Sequence, residues 1–285
     1  MRANFVYGGN EEHKFWHCQK CDLVYLWPIP SVEEDKRFYA NEFEKFMEKR
    51  SGGDYDWRDP ETHIRTNQHN VIRRWKYLND YIEENKNVLE IGCSSGFMLD
   101  TFRHSGLNVM GIELSGYFRK FLLNKGYEIF QSLDELKKRY NCKFDLICHF
   151  FLLEHIREPI NFIQQQLDLL NPNGVIIAEV PCLNDPLTSF YKIPAFEKFY
   201  WSIAHHYYYS PKSISKVLDT LDCKYEILPE QRYDLSNHLI WMNEGVPGGQ
   251  GRFNHIFSES TIESYRKDLI NNWICDTIFI YIFNN

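Results

Sequence analysis

A carboxylate two residues ahead of a glycine-cornered turn is the first grouping in this chain that could do chemistry. Residues 88–97 read VLEIGCSSGF: Val88, Leu89 and Ile91 surround Glu90, and Gly92 and Gly96 bracket Cys93, Ser94 and Ser95. Apolar residues running into glycine predict a buried strand that ends in a sharp turn, from which a helix departs. A ligand then lies at the carboxyl end of the strand, beside the helix N-terminus. Further on, Val109-Met110-Gly111-Ile112 ends in Glu113. An acidic residue about 20 positions beyond the turn is placed to accept hydrogen bonds from a ribose diol. Together the two stretches predict a nucleoside cofactor held by Glu90, Gly92, Gly96 and Glu113.

The glycines say which kind. A dinucleotide-binding turn wants glycine two residues after the first, so that backbone can touch a pyrophosphate. That position is Ser94, and Glu90 is a poor neighbour for phosphate. Glu90 suits a cation. S-adenosylmethionine (SAM) fits, having a sulfonium, an ammonium and no phosphate. Here the chain resembles the class I SAM-dependent methyltransferases, through VLEIGCSSG, GIELS at 111–115, FDLICHFFLLEHI at 144–156 and LNPNGVIIAEVP at 170–181, in order over roughly residues 64–228. Asn173 replaces the glycine of the family's Pro-Gly-Gly turn; asparagine tolerates left-handed backbone. The resemblance implies that Leu114 lies against the adenine and that Ser132 and Leu133 border it, unless Ser132 simply caps a helix. It implies that His149 and Phe150 line the methionine end, and that Cys93 is a small filler of the turn.

Methyl transfer to oxygen needs alignment, exclusion of water and a base, because an alcohol is a poor nucleophile until its proton starts to leave. Histidine is the side chain best poised for that near neutral pH. His205 and His206 precede Tyr207-Tyr208-Tyr209-Ser210-Pro211, and His205 stands five residues before the Ser-Pro helix start, as in relatives that modify sugars or lipid-linked quinones. His238 is a third candidate base. Glu154-His155 matches the family's Glu-His pair, which implies that His155 is near the substrate. Tyr207, Asn237 and Arg252 are further candidates for substrate contact. The Asn237-His238-Leu239 and Gly248-Gly249-x-Gly251-Arg252-Phe253 stretches resemble bacterial surface-polysaccharide enzymes, which implies a sugar, nucleotide-linked sugar or small polar acceptor. Arg252 and Arg232 would meet a phosphate on it, or lie exposed.

The elements that must position these groups follow from periodicity and punctuation. Strands are expected at 87–91, 108–113, 127–130, 144–148, 175–180, 224–228 and 277–283, with helices between them at 95–105, 115–125, 133–139, 158–170 and from 211 to about 221. Such alternation means an α/β, Rossmann-like sheet of seven strands, mostly parallel, with helices on both faces and an antiparallel terminal strand. Helices are expected over 32–50, with Phe38, Phe43, Phe46 and Met47 on one face, and over 61–83, separated by a break at Ser51-Gly52-Gly53-Asp54. The chain divides into an N-terminal extension (1–60), a SAM-binding core (61–228) with an aromatic insertion at 182–209, and a third part (229–285) in which 229–276 precedes the last strand. Both insertions and the N-terminal extension are expected to cover the pocket. Cys18-x-x-Cys21 resembles half of an N-terminal zinc ribbon whose first cysteine pair is absent, and is expected to hold no metal.

Composition bounds the rest. A net charge of −7 over 285 residues gives no nucleic-acid surface. No apolar run approaches the ~20 residues that span a bilayer, and no signal-type segment opens the chain. Eight cysteines without regular spacing fit reduced thiols in a cytoplasmic enzyme. Chains of this kind can form oligomers. Two other classes would share the sheet: a non-catalytic SAM-binding or partner-binding module, and an NAD-dependent oxidoreductase, against which Ser94 counts.

Overall fold

The structure, a computed structural model, describes residues 3–41 and 59–284. Its centre is a seven-stranded sheet in the order β10-β11-β8-β7-β4-β5-β6. The strands are β4 (Asn87–Ile91), β5 (Asn108–Ile112), β6 (Glu128–Phe130), β7 (Phe144–Phe150), β8 (Leu170–Pro181), β10 (Lys224–Glu230) and β11 (Thr277–Phe283). Pairs from β6 through β8 are parallel, whereas β11 runs antiparallel to both β8 and β10. This is the Rossmann-like arrangement expected from the alternation of strands and helices. Successive side chains face opposite layers. Leu89 and Ile91 pack with Ile147, Ile176 and Ile278 on one face, and Val88 joins Leu146, Cys148 and Ile177 on the other.

Strand β8 is longer than expected because pairing with β7 resumes across the Asn-Pro-Asn-Gly bulge: Phe144 opposes Leu170 and Leu146 opposes Val175. Asn173 turns that bulge at φ +65°, the left-handed conformation asparagine accepts. The helix expected over 61–83 is broken into α2 (Pro60–Thr66) and α3 (Gln68–Leu78), joined at Asn67. Asp59 caps the first, accepting from the Thr62 amide. Helix α1 (Val32–Asn41) precedes them. The rest of the helix expected to residue 50, with Phe43, Phe46 and Met47, and the break at 51–54 lie outside the described residues.

The N-terminal segment forms a second sheet, which its sequence did not announce. Strands β1 (Ala3–Gly8), β2 (Lys14–Cys18) and β3 (Val24–Trp27) run antiparallel, and β9 (Tyr207–Tyr208) closes the far edge. Phe15, Leu26, Tyr208, Trp201 and Phe196 form its buried face. Cys18 and Cys21 occupy the β2–β3 turn, where Asp22 takes φ +66° and His17 Nε2 meets Asp22 at 2.7 Å. Among the described residues no third His, Cys, Asp or Glu joins this cysteine pair within ligand reach.

The insertions are folded too. Residues 182–209 hold α8 (Pro186–Ser189), α9 (Pro194–Tyr200) and β9, and 229–276 hold α11 (Leu235–Glu244) and α12 (Glu259–Asn271). The intervening α10 (Pro211–Leu218) starts at a Ser210 capping box. No described helix is long and apolar enough to cross a membrane.

Candidate active site

The turn after β4 is built as its residues demand. Gly92, Ser94 and Gly96 all take positive φ (74°, 51° and 81°), and Gly96 begins α4 (Phe97–His104). A side chain on Gly96 would run into Leu122, so glycine is required there both for conformation and for space. The Gly92 amide donates to the Ile112 carbonyl at 2.8 Å, tying the turn to β5. Glu113 then receives the Ser94 amide on one oxygen at 2.7 Å and the Ser115 amide on the other at 2.6 Å. The carboxylate thus braces two loops while its remaining lone pairs stay available to a ligand.

One cavity of about 690 Å³ runs from this turn to the second sheet. Its near end is walled by Glu90, Gly92, Ser94, Glu113, Leu114 and Phe150, its far end by Glu154, His155, Asp185, Phe199, His205 and Arg232. Eight candidate site residues named from the sequence therefore share the cavity: Glu90, Gly92, Glu113, Leu114, Phe150, His155, His205 and Arg232. Gly96 shapes the turn from behind, and Cys93 packs beneath it with Leu99 and Leu122.

The other expected residues are elsewhere. Ser132 caps α6 (Leu133–Arg139) by accepting from the Glu135 amide, and Leu133 is core. His149, one residue before Phe150, points to the opposite face of the sheet against Phe162 of α7 (Pro159–Leu167), since strand neighbours alternate. His206 turns to Asp35 at 3.3 Å, off the cavity wall. The Tyr207 hydroxyl donates to the Arg157 carbonyl at 3.0 Å. His238 is enclosed, with Nδ1 at 2.5 Å from the Tyr265 hydroxyl. Asn237 is buried in α11, and Arg252 pairs with Glu244 at 3.0 Å. Neither a base role for His206 or His238 nor substrate contact by Tyr207, Asn237 or Arg252 fits these positions.

Several wall residues escaped the sequence reading. His63 of α2 sits between Phe97 and Phe118, with Nδ1 at 2.8 Å from the Ser95 hydroxyl. Arg74 of α3 lies 4.1 Å over the Phe150 ring. Asp35 and Tyr39 of α1 roof the far end, where Arg157 meets Asp35 at 2.5 Å. The only advance signal for His63 and Arg74 was helical periodicity, which marks a buried face and not what that face meets.

The buried acids set the electrostatics. Burial pushes Glu90 up to about 8, Arg74 opposing and Glu113 adding to the rise. Its Oε2 has no partner among the described residues. Burial likewise raises Glu113, against the pull of the Ser115 and Ser94 amides, and carries Glu154 to about 8. The same cause, with Asp276 nearby, brings Asp185 to about 8. A cation arriving at Glu90 would lower it again. Glu90→Gln is therefore expected to weaken binding of a sulfonium nucleoside about tenfold, by loss of one charge-assisted contact. The same variant should gain heat resistance. A folded-state value near 8 means that ionising the buried acid costs stability progressively as pH rises from the ordinary carboxylate range through 8. Thermal unfolding of the apo chain should thus favour the variant at pH 9 and not at pH 4; no gain at pH 9 would remove the account.

At the far end, Glu154, His155 and His205 present ligating atoms within 4.8 Å of one another, the one such group of three among the described residues that could hold a metal ion. His155 is the better defined imidazole. Its Nδ1 lies 2.7 Å from the Ala204 carbonyl and 2.9 Å from the Tyr39 hydroxyl. A carbonyl only accepts, so Nδ1 carries the hydrogen, and in the neutral ring the lone pair is at Nε2. That nitrogen faces Glu154 Oε1 at 3.9 Å. The His205 ring stands edge-on to the His155 ring, their centroids 4.7 Å apart.

With this geometry in place, comparison with known proteins is informative. The family model described as "Methyltransferase domain" matches residues 61–226. The chain belongs to this methyltransferase family. Among curated relatives, the ubiquinone biosynthesis O-methyltransferase of Aromatoleum aromaticum is 28% identical over 109 residues, covering 34% of this chain and 47% of the relative. That of Actinobacillus pleuropneumoniae serotype 7 is 31% identical over 114 residues, covering 34% and 49%. The methyltransferase thus spans about half the length of these relatives. Among solved structures, a SAM-dependent methyltransferase from Archaeoglobus fulgidus aligns at TM-score 0.51 and 18% identity, over 85% of this chain and all of its own. The plantazolicin methyltransferase BpumL, solved with SAH, aligns at 0.52 and 14%, over 88% and 94%. At those identities the likeness is one of fold.

Proposed function

We propose that this methyltransferase uses S-adenosylmethionine to methylate a hydroxyl oxygen of a small polar acceptor. The observation that carries the reading is the single cavity: the turn with Glu90 and Glu113 stands at one end, and the oriented imidazole of His155 at the other. S-adenosylmethionine, when bound, supplies a methyl carbon activated by a sulfonium. The residues present fit it. Glu90, buried with an oxygen lacking any partner among the described residues, suits the ligand's cationic end. Glu113, already aligned by two amides, suits a ribose diol, and Leu114 and Phe118 offer apolar cover beside it.

At the other end His155 Nε2 accepts the acceptor hydroxyl's proton, while the Ala204 carbonyl holds the tautomer that makes this nitrogen basic. Asp35 and Tyr39 cover this end of the cavity. Oxygen as the receiving atom is supported by the relatives named O-methyltransferases. Sugars remain within the class, as an acceptor in surface-polysaccharide synthesis would be, and the polar and aromatic far wall accommodates them. The acidic lining disfavours placing a phosphate inside, so a nucleotide-linked sugar would have to keep its diphosphate outside.

His155→Ala should lower kcat by about 10²–10⁴-fold while SAH affinity falls far less. Steady-state turnover and calorimetry on both His155→Ala and His205→Ala test this. Loss in the His205 variant alone would move the base role to His205. Failure of the wild-type chain to bind SAM or SAH at all would end the reading.

A further inference from the structure

Six carboxylic side chains line the cavity, Asp35, Glu90, Glu113, Glu154, Asp185 and Asp276, against three arginines, Arg74, Arg157 and Arg232. The arginines are spoken for. Arg157 meets Asp35 at 2.5 Å, Arg232 meets Asp276 at 3.4 Å, and Arg74 meets Glu179 at 3.1 Å below the cavity floor. Four wall carboxyls are left without an arginine. Glu90 and Glu113 belong to the nucleoside end. Glu154 and Asp185 do not, and nothing in the methyl-transfer reading uses them.

Both are deeply buried, Glu154 at 1% and Asp185 at 4% exposure. Neither oxygen of Glu154 meets a hydrogen-bond donor from another described residue, although the side chain borders the cavity. Asp185 accepts the Leu187 amide at 2.8 Å and is also stabilised by the Thr188 amide. Arg232 reaches both electrostatically, but its Nε is committed to Asp276 and its face lies over the Phe151 ring at 4.5 Å. Burial favours the protonated form of both acids, and an incoming ammonium offsets the cost of ionising them where a neutral ligand does not. Phe199 lines the same cavity, whereas the Tyr200 and Tyr208 rings pack against each other and against Trp201.

We propose that the acceptor is a hydroxylated amine, bound with its ammonium group against Glu154 and Asp185 while a hydroxyl is presented to His155. The inference rests on the methyl-transfer reading and narrows its substrate class. It also assigns the acids a role in selectivity between atoms. An amine held as ammonium has no lone pair, so it cannot take the methyl group, and the hydroxyl is left as the only nucleophile. The same positive charge could come from a divalent metal on Glu154, His155 and His205, and the test must separate the two sources.

The experiment is calorimetry on the SAH-loaded chain with matched ligand pairs that differ by an ammonium group: dopamine against 4-methylcatechol, and glucosamine against glucose. Each titration is run with EDTA and again with added Mg²⁺ or Zn²⁺. The ammonium member of at least one pair should bind ten-fold tighter or more in EDTA, and Glu154→Gln should erase the preference while SAH affinity stays unchanged. Asp185→Asn, which keeps the helix cap, should reduce it. No preference in either pair, or a preference that exists only with added metal, overturns the proposal. SAH binding is measured first: its absence sinks the methyl-transfer reading, whereas SAH binding without amine preference sinks only the present inference.

Discussion

Glu113→Ala should weaken SAM binding by roughly a hundredfold, about 3 kcal/mol, and lower the melting temperature of the apo chain as well. Two losses combine. The ribose diol loses a charged acceptor, worth about 1.5–3 kcal/mol. The Ser94 and Ser115 amides, held at 2.7 and 2.6 Å, lose their common partner, so the turn must reorganise before any nucleoside can enter. Glu113→Gln separates the two. Its carbonyl can still accept one amide, but its NH₂ confronts the other, so binding should fall less than in the alanine variant. Calorimetry with SAM on both variants, beside thermal unfolding of the apo forms, reads the two effects independently. Unchanged SAM affinity in Glu113→Ala would mean that the carboxylate only braces the loops.

The legible and illegible parts of this chain differ in the range over which their causes act. VLEIGCSSG predicts its strand, turn and helix because apolar run, glycine and small residues act on their immediate neighbours, and all three appear where expected. The order of the central strands is legible for the same reason, repeated along the chain. The N-terminal sheet is not. Its strand β3 pairs with Tyr207 and Tyr208, far away in sequence, and no local pattern announces that partner.

The histidines show the same limit. His205 and His206 are adjacent, yet one borders the cavity and the other faces Asp35. His238 looked available in sequence until the fold brought Tyr265 of α12 against its Nδ1. His155, read only as a substrate neighbour, acquires a defined tautomer from Ala204, 49 positions on. A motif places a residue; the direction and proton of its side chain come from partners distant in the chain. Glu154 and Asp185 are similar cases, since a carboxyl is conspicuous only after burial has removed its water and the arginines have been allotted elsewhere.

The largest effect on stability is expected at Glu179, under the floor of the cavity. Its carboxylate is wholly buried, accepts hydrogen bonds on Oε2 from Arg73 at 2.9 Å and Arg74 at 3.1 Å, and has Arg73 in ion-pair contact with Oε1 at 2.7 Å. Burial alone would raise it, but the two guanidinium groups hold it below the usual carboxylate range. It therefore contributes stability that is present at neutral pH and lost as pH falls through its lowered value. Glu179→Ala would leave two arginines of α3 uncompensated, one of them 5% exposed, at a cost of about 3–5 kcal/mol. Combining Glu179→Met with Arg73→Met and Arg74→Met should recover much of that, because the buried charges go together. The consequence reaches the cofactor. Helix α3 and its neighbour α2 carry Arg74, Asn67 and His63 into the cavity wall, so a chain that loosens this helix pair opens the site before it unfolds. Urea unfolding with and without SAH checks both steps: Glu179→Ala should shift the midpoint down sharply and bind SAH more weakly, although it touches no ligand. An unshifted midpoint would show that packing alone, without the buried ion pair, docks the helix pair on the sheet.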